Sequence, residues 1–225
     1  MAKKTLCDIA PKSTTPNPVT NREVCIAPPN FQTAAFKIKG TAPLVINKFS
    51  AKARAQMLAK HMAGSQSAGK KIREAKNPDQ IFNDARHIST KGWDGIPAAT
   101  FRHAMIGACR LTSMKMTMAR ISFFIEGDGF DADEGTPLVK IIGDKPRVLE
   151  MITRNETGVP DVRFRPQWLE WGAIVRVRFD LDQLSLQDVT NLLARAGGQC
   201  GICEGRPSSE SGGMGWGLFE IEGAK

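Results

Sequence analysis

The sequence has no tyrosine, only three histidines and an odd number of cysteines, five, in 225 residues. Because the cysteines are scattered and the chain is long enough to build a core without them, we expect reduced thiols rather than a disulfide framework. No stretch approaches the roughly 20 continuous apolar residues of a membrane span, and the first residues lack the apolar core of a signal peptide. We therefore expect a cytoplasmic protein with no membrane partner.

Motifs that would indicate an enzyme or a metalloprotein are also missing. The glycine-rich stretches lack the Gly-Lys-Ser/Thr of nucleotide-hydrolase phosphate loops. Cys200 and Cys203 form a Cys-x-x-Cys pair, but no second cysteine pair or histidine cluster lies at metal-ligand spacing. The acidic run 126–135 lacks the spacing of a calcium loop, so we interpret it as a solvated loop or as a contact for a neighbouring subunit. The sequence therefore predicts no cofactor, no metal site and no catalytic residue.

What the sequence does contain is a regional excess of positive charge. The formal net charge is +8, and residues 48–120 alone hold 14 Lys and Arg against four acidic residues, a net charge of +10. The rest of the chain sums to −2. A one-signed excess favours a polyanionic partner, because a solvated surface normally mixes both signs.

The hydrophobic pattern divides the chain into an arm and one domain. Residues 1–30 are rich in proline and polar side chains and predict an extended arm, whereas residues 31–225 predict a single domain. Apolar alternation predicts strands at 31–39, 44–46, 121–125, 138–142, 148–153, 162–164, 174–179 and 218–221. Helical periodicity predicts helices at 48–62, 96–110 and 185–196, the last with a capping box of Ser185 and Asp188 and a stop at Gly197.

This order of elements predicts an α+β fold. Strands and helices do not alternate regularly, which disfavours a doubly wound parallel sheet. A ferredoxin-like core of the RNA-recognition type, an antiparallel sheet with helices on one face, fits the order better. Residues 63–93, which are basic and poor in apolar side chains, interrupt this core as an insertion.

Three stretches are candidates for contacting nucleic acid. The basic insertion combines lysine and arginine with Phe82 and Trp93, as single-strand binders that do not read sequence do. Segment 95–110 opens a helix whose free N–H groups attract phosphate, and loop 197–217 carries eight of the 21 glycines, which let backbone N–H groups approach phosphate. An ordinary core helix and a plain connection are the alternatives for these two. The predicted contacts are Lys48, Lys52, Arg54, Lys70, Lys71, Arg73, Lys76, Arg86, His87, Arg102, His103 and Arg206.

Together these stretches resemble the RAMP superfamily, which includes the backbone subunits of CRISPR effector complexes and their phage-encoded relatives. Residues 36–44 are similar to the family's first strand and turn, and residues 95–104 to the start of its helix. Residues 201–207 and 215–221 are similar to its glycine-rich loop and final strand. The resemblance implies an RNA-recognition-type fold, a thumb-like insertion, RNA or single-stranded DNA bound along one face, and head-to-tail homo-oligomers.

The sequence therefore predicts a non-catalytic protein that binds RNA or single-stranded DNA by its backbone and assembles head-to-tail along the strand. Two alternatives remain. One is a phage structural or assembly protein that uses the basic face on partner proteins. The other is a RAMP-type endoribonuclease, for which Asp79 and Asp84 lie in the region that the resemblance assigns to a thumb.

Overall fold

The structure, a computed structural model, describes residues 26–49, 54–55, 57–59, 62, 77–154, 160–210 and 213–223. Most of the predicted arm, and residues 63–76 of the basic insertion, lie outside these residues. Within the predicted helix 48–62, the described positions 54–55, 57–59 and 62 are helical. In the described ranges, no helix is both long and apolar enough to cross a bilayer.

An antiparallel five-stranded sheet forms the centre of the protein. Its strands are β1 (Phe31–Gly40), β4 (Phe123–Glu126), β7 (Ile142–Gly143), β10 (Trp171–Asp180) and β11 (Phe219–Ile221). The order is β11-β1-β10-β4, and β7 pairs with the start of β10. The β1–β10 pair is the longest, with its register running from Phe31 opposite Asp180 to Lys39 opposite Gly172.

Two three-stranded sheets flank this centre. The first has the order β2-β9-β8, with β2 at Leu44–Val45, β8 at Arg147–Arg154 and β9 at Pro160–Trp168. The second has the order β3-β6-β5, with β3 at Gly95–Pro97, β5 at Gly129–Phe130 and β6 at Pro137–Lys140. The strands predicted at 148–153 and 162–164 are confirmed, and they pair as the antiparallel β8–β9 hairpin.

Besides the helical positions between 54 and 62, the described residues form four α-helices: α1 (Pro78–Asp84), α2 (Ala98–Ala108), α3 (Met116–Ser122) and α4 (Leu186–Arg195). The capping box of α4 is confirmed, since the Ser185 hydroxyl accepts from the Asp188 amide at 3.1 Å and the Asp188 carboxylate accepts from the Ser185 amide at 3.0 Å. The stop predicted at Gly197 is wrong, because a π-helical turn continues the chain through Ala196–Cys200. The protein is therefore α+β, as predicted.

The core lies between one face of the central sheet and the helices. Every second residue of β10 is buried, from Trp171 through Val175 to Phe179, so the predicted period-two alternation is confirmed. Helix α2 contacts β4 and α4, and α4 contacts β11. A fully buried side chain such as Phe179 contributes about 1.5 to 3 kcal/mol relative to an exposed one.

The strand predicted at 121–125 is wrong in its first part. Residues up to Ser122 belong to α3, and Ile121 is 65% exposed. A short apolar run does not distinguish a strand from a helix end, and here the burial of Ala119 and Ser122 is compatible with helix up to the start of β4.

The described end of the basic insertion, residues 77–93, is more packed than its composition indicates. Helix α1 begins after Asn77, whose side chain accepts hydrogen bonds from the first turn. Ala85, His87 and Ser89 are buried, and Ser89 forms an isolated β-bridge with Asp131 of the acidic run. This end of the insertion is therefore folded against the rest of the protein, although Ala85 is the one apolar residue that it adds to the buried core.

Candidate nucleic-acid interface

A cleft of about 560 Å³ lies between α2 and the glycine-rich loop. Its basic side chains are Arg102 and His103 from α2, Arg110 from the turn after it, Arg120 from α3 and Arg206 from the loop. The cleft therefore joins the second and third stretches that the sequence analysis selected. Four arginines and one histidine line a single concave surface.

The cleft is electrostatically one-sided. Among the described residues that line it, none is acidic. His103, Arg110, Arg120 and Arg206 are exposed, and none of them forms an ion pair with a carboxylate in the described part of the chain. Unneutralised cations that face one concave surface raise the local positive potential and attract polyanions.

Arg102 is half-buried and holds the wall of the cleft in place. Its Nε donates to the Phe123 carbonyl at 3.2 Å, and one of its Nη atoms donates to the Arg120 carbonyl. Its guanidinium carbon lies 5.0 Å from the centroid of the Phe124 ring. These contacts join α2 to the corner between α3 and β4.

The glycine-rich loop is a tightly packed connection that offers a side chain to the cleft. Gly217 has a φ of +69°, and a Cβ there would lie 2.0 Å from a backbone carbonyl oxygen, so only glycine fits. The amides of Met214 and Trp216 both donate to the Gly205 carbonyl. These amides are thus used within the loop rather than on phosphate, and the loop contributes Arg206 to the cleft.

A smaller cavity of about 370 Å³ adjoins the cleft and shares Thr100, Cys203 and Arg206 with it. Glu204 is the one acidic residue among its described lining residues. The Glu204 carboxylate already accepts from Arg165 at 2.8 Å. Arg206 therefore faces both cavities without an acidic partner, while its Nη1 donates to the Cys203 carbonyl at 3.0 Å.

Lys48 and His87, both predicted as nucleic-acid contacts, are buried around Asp131. Lys48 Nζ lies 2.7 Å from Asp131 Oδ1 and 2.8 Å from Asp133 Oδ2, and His87 Nδ1 lies 2.8 Å from Asp131 Oδ2. The side chains of Lys48 and Asp131 are 3% and 0% exposed. The Lys48 ammonium is therefore not available to a phosphate. We call these four residues the Asp131 cluster.

Asp131 and Lys48 keep their charges because hydrogen bonds and opposite charges outweigh burial. Burial by itself raises the pKa of Asp131, but Lys48, His87 and two backbone amides bond to its carboxylate and lower the pKa to about 2. Burial by itself lowers the pKa of Lys48, but Asp131 and Asp133 raise it above its ordinary value. The cluster ties together the segment after β2, the insertion and the acidic run.

The same region is the one group of potential metal ligands in the described part of the chain. His87, Asp131 and Glu134 each offer a ligand atom, and these atoms lie within 4.8 Å of one another. The Lys48 ammonium is already bonded to the Asp131 carboxylate, so a divalent cation would have to displace it. We therefore interpret the group as a buried ion-pair cluster.

The Asp131 cluster predicts a loss of stability in acid. The pKa of Asp131 is about 2 in the folded protein and has its ordinary value of 3.8 when unfolded. The stabilisation that Asp131 gives to the folded state is therefore complete above about pH 4, and it is lost as the pH falls through about 2. We expect protonation of this carboxylate over that pH range to lower the free energy of unfolding by about 2 kcal/mol. Denaturant unfolding of the wild type and of Asp131→Asn at several acidic pH values measures this loss of stability. An equal pH dependence in the two proteins would contradict it.

The other predicted contacts fall into two groups. Some form ion pairs within the chain, and the others lie outside the residues that the structure describes. Arg54 pairs with Glu134 at 3.2 Å, and Arg86 pairs with Asp94 at 2.7 Å. Both cations are therefore partly neutralised within the chain. The predicted contacts Lys52, Lys70, Lys71, Arg73 and Lys76 lie outside the described residues.

The acidic run 126–135 contacts cations of its own chain. Asp128 accepts from Arg176, and Asp131 and Asp133 accept from Lys48. The interpretation as a solvated loop is therefore wrong for Asp131, whose side chain has no exposure. These carboxylates therefore contact cations of their own subunit, while the Asp133 side chain stays 64% exposed.

Arg110 and Arg120 lie in the basic region 48–120 but are not among the contacts predicted from the sequence. Arg110 follows Arg102 by eight residues, about two helical turns, so helical spacing would have assigned both to one face. Arg120 carried no such signal, because its segment was interpreted as leading into a strand and is the helix α3. Only the packing of α3 beside α2 brings it to the cleft.

Cys203 lines both cavities, and Cys200 is buried three residues before it. Cys200 and Cys203 are both free. Burial raises the pKa of the Cys200 thiol, and it raises that of Cys203 to about 12. Thiols that stay protonated are poor nucleophiles and poor metal ligands.

A larger groove, of about 1020 Å³, lies between residues 112–118 and α4. Its charged lining residues are of both signs, Lys115 and Arg195 with Asp188. It does not share the one-sided charge of the cleft, so we assign the interface to the cleft.

No protein-family model matches this chain, and neither does any curated protein sequence.

Proposed function

We propose that this protein binds RNA or single-stranded DNA, without cutting it, in the cleft between α2 and the glycine-rich loop. The observation that carries the proposal is the convergence of His103, Arg110, Arg120 and Arg206 on a cleft with no acidic residue among its described lining residues. Guanidinium groups donate paired hydrogen bonds to phosphate oxygens. Because phosphates are the same in every sequence, we expect weak sequence preference.

The shape of the cleft favours a single strand. Its walls are the helices α2 and α3 and the glycine-rich loop, and its volume is about 560 Å³. A flexible single strand can bend into such a concave surface, as strands do in the basic grooves of other single-strand binders. A duplex is stiff over this distance and would meet only the rim.

The topology supports a ferredoxin-like core for the proposed RAMP-type protein. Along the chain, β1, α2, β4, β10, α4 and β11 follow a β-α-β-β-α-β order. In the sheet order β11-β1-β10-β4, the first and third of these four strands are central. The start of α2 and the glycine-rich loop, two of the stretches that carry the resemblance, line one cleft.

Head-to-tail assembly along the strand is part of the proposal. The β8–β9 hairpin exposes Val148 at 49% and Ile152 at 76%, and a neighbouring copy could bury these side chains. The hairpin and the cleft are different surfaces. A contact between different surfaces is heterologous, so it can continue from copy to copy along a strand.

Mass measurements with single-stranded oligonucleotides of increasing length test binding and assembly together. At low salt we expect the mass of the complex to rise by one subunit for each fixed increase in length. We also expect steep weakening as salt is added, because each phosphate contact releases counterions with a slope of roughly −0.7.

Three outcomes would change this assignment. An affinity that does not depend on salt would contradict phosphate binding, and one fixed stoichiometry at every length would contradict the head-to-tail series. A phage structural or assembly protein would carry no nucleic acid, so the absorbance of freshly purified protein near 260 nm separates that alternative from the proposal.

One observation favours endoribonuclease as a second candidate. His87, whose Nδ1 is bonded to Asp131, lines the smaller cavity together with Arg206. A histidine so placed can accept the proton of a ribose 2′-hydroxyl. Asp79 and Asp84 are exposed on α1 and line neither cavity. Intact RNA recovered from the binding experiment supports the non-catalytic function. Cleavage of RNA that His87→Ala abolishes would support the second candidate.

A further inference from the structure

The second face of the central sheet carries aromatic and arginine side chains that the cleft does not include. The register places Thr33 of β1, Arg178 of β10 and Phe124 of β4 side by side. Phe31 lies on the same face of β1 and is 41% exposed. We call this the open face, because it is opposite to the face on which Phe179 is buried.

The two phenylalanines and Arg178 contact one another. The rings of Phe31 and Phe124 are 6.0 Å apart between centroids, with an angle of 65° between their planes. The guanidinium carbon of Arg178 lies 5.2 Å from the Phe31 centroid and 5.4 Å from the Phe124 centroid. Aromatic rings and guanidinium planes are the surfaces on which the bases of single strands stack.

The charge of the open face suits a base better than a phosphate. Lys37 pairs with Glu222 and Arg176 pairs with Asp128. Arg178 has no carboxylate partner among the residues that the structure describes, and it lies against the two rings. The face is therefore nearly balanced in charge, and its distinctive feature is a pair of aromatic rings in contact with a guanidinium group that has no carboxylate partner among the described residues.

The open face is continuous with the cleft. Strand β4 is at the end of the sheet order, so its residues lie at the sheet edge. Arg102 lines the cleft, and its guanidinium carbon is 5.0 Å from the Phe124 ring on the open face. Arg120, whose carbonyl accepts from Arg102, lines the cleft at the same edge. A nucleic-acid strand that leaves the cleft past Arg120 would therefore reach Phe124 next.

We infer that Phe31, Phe124 and Arg178 form a stacking site for nucleobases of the strand whose phosphates occupy the cleft. This inference rests on the proposed function, because the strand must first be held by the cleft. It adds a division of roles that the cleft alone does not imply. The cleft binds the charged backbone, and the open face binds the bases.

The test compares the affinities for a normal oligonucleotide and for an abasic strand of the same length. For Phe31→Ala we expect the affinity for the normal strand to fall by about 5- to 150-fold, the range that base stacking on an aromatic ring gives. The affinity for the abasic strand should not change, since its phosphates still reach the cleft. Phe124→Leu should act in the same direction.

The matched control is Phe130→Ala, which removes an equally large, 59% exposed ring from a different sheet. It should leave both affinities unchanged, and melting temperatures show that all variants are folded. If Phe31→Ala lowers both affinities equally, or lowers neither, the proposed stacking site is contradicted, whereas phosphate binding in the cleft is not. If the wild type binds neither the normal nor the abasic oligonucleotide, the proposed function and the stacking site are both contradicted. If Phe31→Ala instead changes the oligomeric state without ligand, the open face is a protein contact and the inference is overturned.

Discussion

Replacing Lys48 with methionine is expected to lower the free energy of unfolding by about 3 to 5 kcal/mol. Methionine keeps the length of the side chain but leaves Asp131 charged, fully buried and without its ammonium partner. A buried charge without a partner is far more costly than an exposed one, because the protein interior cannot replace water as a solvent for it. Denaturant unfolding of the two proteins at neutral pH measures the difference.

The matched control is Lys37→Met. Lys37 also pairs with a carboxylate at 2.7 Å, that of Glu222, but these side chains are 64% and 39% exposed. An exposed pair contributes only about 0 to 1 kcal/mol, so the control should change stability little. In addition, the double variant Lys48→Met with Asp131→Asn should lose less stability than the sum of the two single losses. The double variant no longer contains the buried carboxylate charge that Lys48→Met leaves without its ammonium partner. Equal losses for Lys48→Met and Lys37→Met would show that the Asp131 cluster does not stabilise the fold.

Removing three cations from the cleft is expected to weaken binding of single-stranded nucleic acid at least about 100-fold at low salt. The variant replaces Arg110, Arg120 and Arg206 with alanine, and each lost phosphate contact is worth roughly 1 to 3 kcal/mol. The salt dependence should also become flatter, by about 2 in slope, because three fewer contacts release counterions. Titrations of a labelled oligonucleotide over a range of salt concentrations give both quantities.

The control for this variant removes the same total charge elsewhere. Lys140, Lys145 and Arg195 are exposed and do not line the cleft, so replacing them with alanine changes the net charge equally. If binding depends on the cleft, this control keeps most of its affinity and its salt slope. If both triple variants weaken binding to the same extent, net charge alone attracts the nucleic acid and the cleft is not the site.

Features that depend on residues close in sequence could be predicted. The buried alternation of β10, the capping box of α4 and the β8–β9 hairpin each follow from interactions within one strand, one helical turn or one hairpin. The neighbouring segment 121–125 shows the limit of this reasoning. Its apolar run was compatible with a helix and with a strand, and the structure has helix up to Ser122 and strand from Phe123.

The candidate site could be predicted only in part. The resemblance and the local patterns selected Arg102, His103 and Arg206, and the structure brings these three to one cleft. Lys48 and His87 were selected by the same count of positive charge, yet both are buried beside Asp131. A count of charges does not distinguish an available cation from one that is neutralised by a distant carboxylate.

By itself, the sequence determined local features such as the alternation of β10 and the capping box of α4, the regional excess of positive charge and the glycines that permit a tight loop. Only the tertiary structure decided which charges remain free. Lys48 meets Asp131 across 83 residues of chain, and Arg110, Arg120 and Arg206 come from three different segments to line one cleft. The physical reason is that Coulomb and hydrogen-bond energies depend on distance in space. Separation along the chain does not fix that distance, so packing decides which cations can bind a phosphate.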